Sequence, residues 1–201
     1  MAVRWKENAV VNVKLSDSLY TLAQMYQDPF VQFFNISNTT GIWEEINLES
    51  VPTFALLPHD KFFGRECYIE KLNKVKPIKI TPPKYIITTF PRAALFEPKV
   101  YKNGRYDPDK GKIIKDNLDP IEDEEIIRQY EMTGLHLRWT LKTRLMYFFE
   151  TGEDIDLYKL NRFYPAEFIK YLEIFYEKFE TDDIDTDAQL QAWKNYHNLS
   201  E

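Results

Sequence analysis

The sequence predicts an α+β protein, with an antiparallel β-sheet or small barrel in its N-terminal half and helices in its C-terminal part. Two observations support this class. Short apolar segments separated by turn residues fill roughly the first 60 positions, which is typical of consecutive antiparallel strands. From Asp119 onward the apolar residues recur at helical spacing instead. We therefore expect a β-rich part over residues 1–118 and a helical part over residues 119–201, joined in one compact domain.

Four strands are predicted in the β-rich part. The segment from Val10 to Leu15 is rich in β-branched residues and is followed by the turn-forming Ser16-Asp17-Ser18. The segment from Leu19 to Tyr26 has apolar residues on both of its faces, which indicates a central strand covered on both sides. Two further strands are expected from Phe30 to Ile36 and from Thr53 to Leu57.

Residues 75–118 hold most of the prolines, and their pattern is weaker. The segment from Tyr85 to Phe90 has strand character, and the Asn103-Gly104 pair is favoured in two-residue hairpins. For the rest of this stretch we expect a long excursion over the surface. Long ordered loops often carry binding residues.

Four helices are predicted in the C-terminal part. The first begins after Asp119 and runs to about Met132, with acidic residues in its opening turns, where they suit the helix dipole. The second covers residues 136–151 and is ended by a glycine. The third opens at Pro165, and the last starts at Thr186, where Thr-Asp-Ala-Gln forms a capping-box pattern.

Composition predicts a soluble cytoplasmic protein. Cys67 is the only cysteine, so no intrachain disulfide can form, which favours a reducing compartment. The N-terminus carries charges and lacks the apolar stretch of a signal peptide. No window approaches the ~18 apolar residues that are needed to cross a bilayer, so we expect no membrane contact.

The net charge of -6 is distributed unevenly along the chain. Residues 1–149 hold 21 Lys and Arg against 19 Asp and Glu, whereas residues 150–201 hold 5 against 13. An acidic C-terminal quarter repels nucleic acid and attracts basic protein surfaces. The predicted partner is therefore a protein. The candidate contacts are four aspartates and two nearby rings: Asp182, Asp183, Asp185, Asp187, Trp193 and Tyr196.

No catalytic, cofactor or metal site is expected from the sequence. The histidines do not stand at metal-ligand spacing, and no phosphate-binding glycine motif occurs. Cys67 as a nucleophile would need a histidine base and an oxyanion hole, and buried thiols are far commoner. His59 and Asp60 are adjacent, so on a strand they would point to opposite faces. A small hydrolase using Cys67 or the His59 region stays as one alternative, and a structural adaptor subunit as another.

Two acidic runs are poor candidates for cation sites. Residues 122–125 are four consecutive acids on a predicted helix start, so their side chains fan out around the axis instead of converging. Residues 182–187 lack the central glycine and the terminal glutamate of an EF-hand. We interpret the first run as a solvated helix start.

The predicted N-terminal hairpin carries a resemblance to a known family. The segment Val-Asn-Val-Lys-Leu-Ser-Asp-Ser-Leu-Tyr-Thr-Leu-Ala-Gln-Met, residues 11–25, resembles the opening of the immunity protein 26 family. That opening is an apolar strand, a turn with Asp-Gly, then Tyr and a Gly-Gln-Val-like strand. Three residues match it: Asp17, Tyr20 and Gln24. Two residues stand where glycine is expected: Ser18 and Ala23.

Three later segments are also similar to longer members of that family. They are the Phe54-Ala-Leu-Leu strand, residues 129–134 and residues 142–152. The likeness is scattered over most of residues 8–152 and rests on the hydrophobic pattern with a few polar residues. Residues 153–201 have no counterpart in it.

The resemblance implies an immunity protein, which is the neutralising partner of a bacterial polymorphic or contact-dependent toxin. Such proteins act by stoichiometric binding, so they need no catalytic residues and no cofactor. An acidic inhibitor suits a basic toxin such as a nuclease, whose phosphate-binding surface attracts carboxylates. The expected function is therefore toxin neutralisation through a protein–protein interaction.

Overall fold

The computed structural model divides the chain into two compact units, Met1–Arg138 and Trp139–Glu201. The first unit contains two β-sheets, and the described part of the second is helical, so the predicted α+β class is confirmed. The structure describes residues 3–27, 30–58, 61–81, 83, 85–89, 98–102, 112–116, 118–133 and 138–179.

Five antiparallel strands form the first sheet. They are β1 (Val10–Ser16), β2 (Leu19–Met25), β3 (Phe30–Asn38), β4 (Thr53–Pro58) and β5 (Tyr68–Lys71). Their order across the sheet is β4-β3-β2-β1-β5, so the four predicted strands form a meander in which β2 is central. The fifth strand pairs with β1 on the side away from β2, and this pairing has no counterpart in the prediction.

Burial on both faces explains the composition of β1 and β2. Val11 pairs with Ala23 on one face of the sheet, and Asn12 pairs with Leu22 on the other. Most residues of both strands are buried. A strand covered on both sides needs this nearly continuous apolar character, as the sequence from Leu19 predicted.

A short helix and two irregular segments cover this sheet. Helix α1 (Lys61–Cys67) places the ring of Phe63 edge-on against Phe33, with ring centroids 6.0 Å apart. On the opposite face, parts of residues 43–51 and 72–78 join side chains of the strands in a second apolar set. That set is buried almost completely: Val10, Leu22, Phe34, Leu48 and Val75.

Four strands form a second sheet in the same unit. They are β6 (Tyr85–Thr89), β7 (Pro98–Lys102), β8 (Lys112–Asp116) and β9 (Met132–Thr133), in the order β8-β7-β6-β9. The predicted strand that starts at Tyr85 is confirmed. The expected surface excursion is wrong for β7 and β8, which pair with each other and with β6. The Asn103-Gly104 pair lies outside the described residues.

The first predicted helix is shorter than expected. Helix α2 (Glu124–Gln129) ends before Tyr130, and Met132–Thr133 forms β9 instead of a last helical turn. This strand runs parallel to β6, and the amide of Ile87 donates to the carbonyl of Glu131 at 2.9 Å. The prediction was wrong here because pairing with a distant strand satisfies the backbone better than an isolated helix end does.

Three helices form the described part of the second unit. They are α3 (Arg138–Thr151), α4 (Leu157–Phe163) and α5 (Pro165–Lys178). The predicted helices ending at Thr151 and opening at Pro165 are confirmed, whereas α4 has no counterpart in the prediction. Their core is largely aromatic, and the ring centroids of Tyr147 and Phe175 are 4.9 Å apart. The predicted helix from Thr186 lies outside the described residues.

Candidate interaction surface

The predicted partner contacts lie outside the described residues. They are the four aspartates and the two rings named from the sequence: Asp182, Asp183, Asp185, Asp187, Trp193 and Tyr196. Their charge is a property of the sequence, which places four carboxylates within residues 182–187. Their part in binding stays a prediction.

Cys67 lies at the end of α1 and is only 2% exposed. Phe63 lies on the same helix and Tyr68 directly follows Cys67. Both rings are buried, and their centroids are 5.7 Å apart. A thiol in such surroundings is shielded from solvent and from substrates, as structural cysteines are. His59, the other part of the hydrolase alternative, lies outside the described residues.

The acidic run at residues 122–125 divides into one buried member and three exposed ones. Asp123 is 5% exposed, and its carboxylate accepts hydrogen bonds from Lys115 at 2.6 Å and from the amide of Asp119 at 3.0 Å. The Lys115 ammonium and then the Asp119 amide hold the pKa of Asp123 below its usual value. Within the described ranges, no group of three His, Cys, Asp or Glu side chains is placed to hold a metal ion.

Two buried amide side chains tie the covering segments to the first sheet. Asn12 is 2% exposed, and its Nδ2 donates to the carbonyl of Gly41 at 2.8 Å. Its Oδ1 accepts a hydrogen bond of 2.9 Å from Nε1 of Trp43. Gln24 is fully buried and exchanges two hydrogen bonds of 2.9 Å with the backbone of Ile78. Gln24 thus pairs with the backbone of Ile78 as a neighbouring strand would, whereas Asn12 joins one backbone carbonyl and one indole of the covering loop.

The residues that carry the family resemblance also have structural roles. Gln24 holds a covering segment, as above. The ring of Tyr20 lies against Gly41, so that a Cβ added at Gly41 would be only 2.7 Å from Cδ1 of that ring. Asp17, in the turn of the first hairpin, forms an exposed ion pair of 2.8 Å with Lys14 of β1. Gln24 and Tyr20 thus contact the segments that cover the N-terminal sheet, whereas the Asp17 pair lies in solvent and adds little to stability.

Helix α3 buries a guanidinium that the prediction did not single out. Arg144 is 2% exposed, and its Nε and Nη2 donate to the two oxygens of Asp154 at 2.6 and 2.7 Å. Its Nη1 lies 3.3 Å from Oδ2 of Asp156. Asp156 also caps α4 by accepting two backbone hydrogen bonds, so the cluster joins α3 to α4. The signal in the sequence is an arginine between Leu141 and Leu145, on the apolar stripe of the helix.

Among the side chains whose burial the structure describes, three isoleucines are large, apolar and exposed. Their exposed fractions are 66% for Ile42, 43% for Ile69 and 87% for Ile121. Residues 38–52, which hold Ile42, contain no lysine or arginine, whereas Lys115 pairs with Asp123 close to the segment that holds Ile121. An apolar anchor with a charged surround is the usual anatomy of a protein interface.

The chain belongs to a family described as a domain of unknown function (DUF8309), which matches residues 1–166. The match covers the first unit and continues through α3 and α4 to the start of α5. No curated protein and no solved structure matches the chain. In the part of the chain that the structure describes, no helix is long and apolar enough to cross a bilayer.

Proposed function

We propose that this protein neutralises a bacterial toxin by stoichiometric binding, in the manner of the immunity protein 26 family that its N-terminal part resembles. The partner is then a protein, and neither a cofactor nor a catalytic residue takes part. The binding takes place in the cytoplasm, where the single cysteine of the chain stays reduced.

The observation that carries this proposal is the difference in net charge between the residues inside the family match and those after it. The matched residues 1–166 contain 23 Lys and Arg and 23 Asp and Glu, so their net charge is zero. Residues 167–201 contain 3 and 9, so they carry the whole net charge of -6. A neutral shared part joined to an acidic part outside the match suits a family whose members each recognise a different basic partner.

A nuclease toxin fits this charge because its phosphate-binding surface is basic. Clustered carboxylates attract that surface, speed the encounter of the two proteins and compete with nucleic acid for the same cations. Since salt screens such attraction over roughly 8–10 Å at physiological ionic strength, the association rate is expected to fall as salt is added.

Co-expression in a bacterium tests the proposal. The candidate toxin is the protein encoded directly upstream of the gene for this chain. We expect cells that express that protein to grow only when this chain is co-expressed. Equal growth arrest with and without this chain would contradict the proposal.

Charge-neutralising variants test the part played by the acidic residues. The test variant combines Asp182→Asn, Asp183→Asn, Asp185→Asn and Asp187→Asn. The control variant has the same net charge and changes exposed residues of the matched part: Glu7→Gln, Glu70→Gln, Glu122→Gln and Glu125→Gln. We expect the test variant to lower the association rate about tenfold at low salt and the control to leave it within about twofold. Equal rates for both variants would remove the aspartates from the interface.

A further inference from the structure

A loop, residues 38–52, runs from the last residue of β3 to the residue before β4 and covers one face of the first sheet. Its large apolar residues are sorted into two groups. Trp43, Ile46, Leu48 and Val51 pack with the cluster of buried side chains, and a short 3-10 helix, Leu48–Ser50, lies among them. Ile42 is turned the other way and is 66% exposed. One buried residue, Leu48, and three partly buried ones therefore hold this loop on the sheet without Ile42.

The backbone on both sides of Ile42 is held by amide side chains. Nδ2 of Asn38 donates to the carbonyl of Ile42 at 2.9 Å, and its Oδ1 accepts from the amide of Gly41 at 2.7 Å. The carbonyl of Gly41 accepts from the buried Asn12, which also accepts from the indole of Trp43. The position of Ile42 is thus fixed before any partner arrives.

Gly41 has a backbone conformation that suits glycine, and it lies against a neighbouring ring. Its φ is +69°, a region that residues with a side chain rarely adopt. A Cβ at this position would lie 2.7 Å from the ring of Tyr20. A loop that is already ordered loses little conformational entropy on binding, and this favours affinity.

The charged residues of this loop all have the same sign. Residues 38–52 include three exposed glutamates, Glu44, Glu45 and Glu49, and no lysine or arginine. Glu45 has a φ of +48°, which is uncommon for a residue other than glycine, asparagine or aspartate. A basic surface with an apolar depression is complementary to this loop in both charge and shape.

We propose that residues 38–52 are a docking loop for the toxin, in which Ile42 enters an apolar pocket and the three glutamates meet lysines or arginines around that pocket. This inference rests on the proposed function and adds a contact in the part of the chain that the family match covers. Ile69 supplies a matched control, because it is also exposed but is followed on β5 by charges of both signs, Glu70 and Lys71.

Binding of the purified full chain to the product of the upstream gene, measured by biolayer interferometry, tests the docking loop. We expect Ile42→Ala to raise Kd by about tenfold or more and Ile69→Ala to change it less than about twofold. A Glu44→Gln/Glu49→Gln variant is expected to lower the association rate at low salt while leaving the dissociation rate nearly unchanged. Circular dichroism and thermal melting show whether each variant keeps the fold.

The outcomes separate this inference from the function on which it rests. If the wild-type chain binds and Ile42→Ala binds equally well, the docking loop is wrong and toxin neutralisation stands. If the wild-type chain does not bind the upstream product, both proposals fail. Loss of affinity in Ile42→Ala with an unchanged melting temperature supports the docking loop.

Discussion

Replacing Arg144 by methionine removes the cation from the polar cluster that joins α3 to α4. Removing one partner of a buried ion pair costs about 3–5 kcal/mol because the remaining charge stays buried. Here the side chain of Asp156 is only 7% exposed, whereas that of Asp154 is 37% exposed and can regain water. Asp156 also keeps the two backbone hydrogen bonds that it accepts as a helix cap. We therefore expect a loss near the lower end, about 3 kcal/mol in the free energy of unfolding.

Urea unfolding followed by far-ultraviolet circular dichroism measures this loss. Lys178→Met is the matched control, because its ion pair with Glu150 joins side chains that are 32% and 52% exposed. An exposed pair of this kind contributes less than about 1 kcal/mol. A loss for Arg144→Met no larger than that for Lys178→Met would refute the structural role given to the buried guanidinium.

Three further changes give expected outcomes in stability measurements. Gly41→Ala is expected to lower the free energy of unfolding by about 1–3 kcal/mol, and Gly152→Ala to lower it less. Both glycines have positive φ, but only Gly41 lies against a ring, that of Tyr20. Equal losses for the two variants would contradict this. Gln24→Ala leaves two backbone groups of a covering segment without their partner, so we expect a loss of about 2 kcal/mol or more, and a loss under about 0.5 kcal/mol would count against it. The pKa of Asp123 lies below its usual 3.8, so its stabilisation is complete above that pH and is lost as the pH falls through the lower folded value. Asp123→Asn is therefore expected to flatten the acid side of a curve of stability against pH, and an unchanged slope would refute the assignment.

The strands of the first sheet could be predicted because their signals are local. The β-branched residues of β1 indicate a strand, and the apolar residues on both faces of β2 indicate its central place. The strand β5 has no such signal, because its four residues are defined by pairing with β1 across a long stretch of chain. Local periodicity carries no information about that pairing.

The second sheet shows the same limit more strongly. Residues Met132–Thr133 continue an acidic, helix-like segment in the sequence, yet they join β6 as a parallel strand. The prolines around β7 suggested a loop, and Pro98 stands at the first position of that strand, where a missing amide is tolerated. The place of β9 in this sheet is decided by a partner that is distant in the sequence.

The candidate sites differ in how far the sequence reveals them. The acidic excess of the last quarter is a matter of counting, so it could be found without a structure. The outward orientation of Ile42 could not, because Trp43, Ile46 and Leu48 look equally apolar in the sequence and only the packing separates them. The burial of Arg144 likewise depends on acids that follow it in the next loop.

Titration calorimetry of the full chain against the purified product of the upstream gene tests the central claim most directly. We expect one molecule of this protein to bind one molecule of the toxin, with an affinity that weakens as salt is added, because the acidic residues attract a basic surface. The absence of a complex at low salt would contradict the account of this protein as a stoichiometric toxin inhibitor.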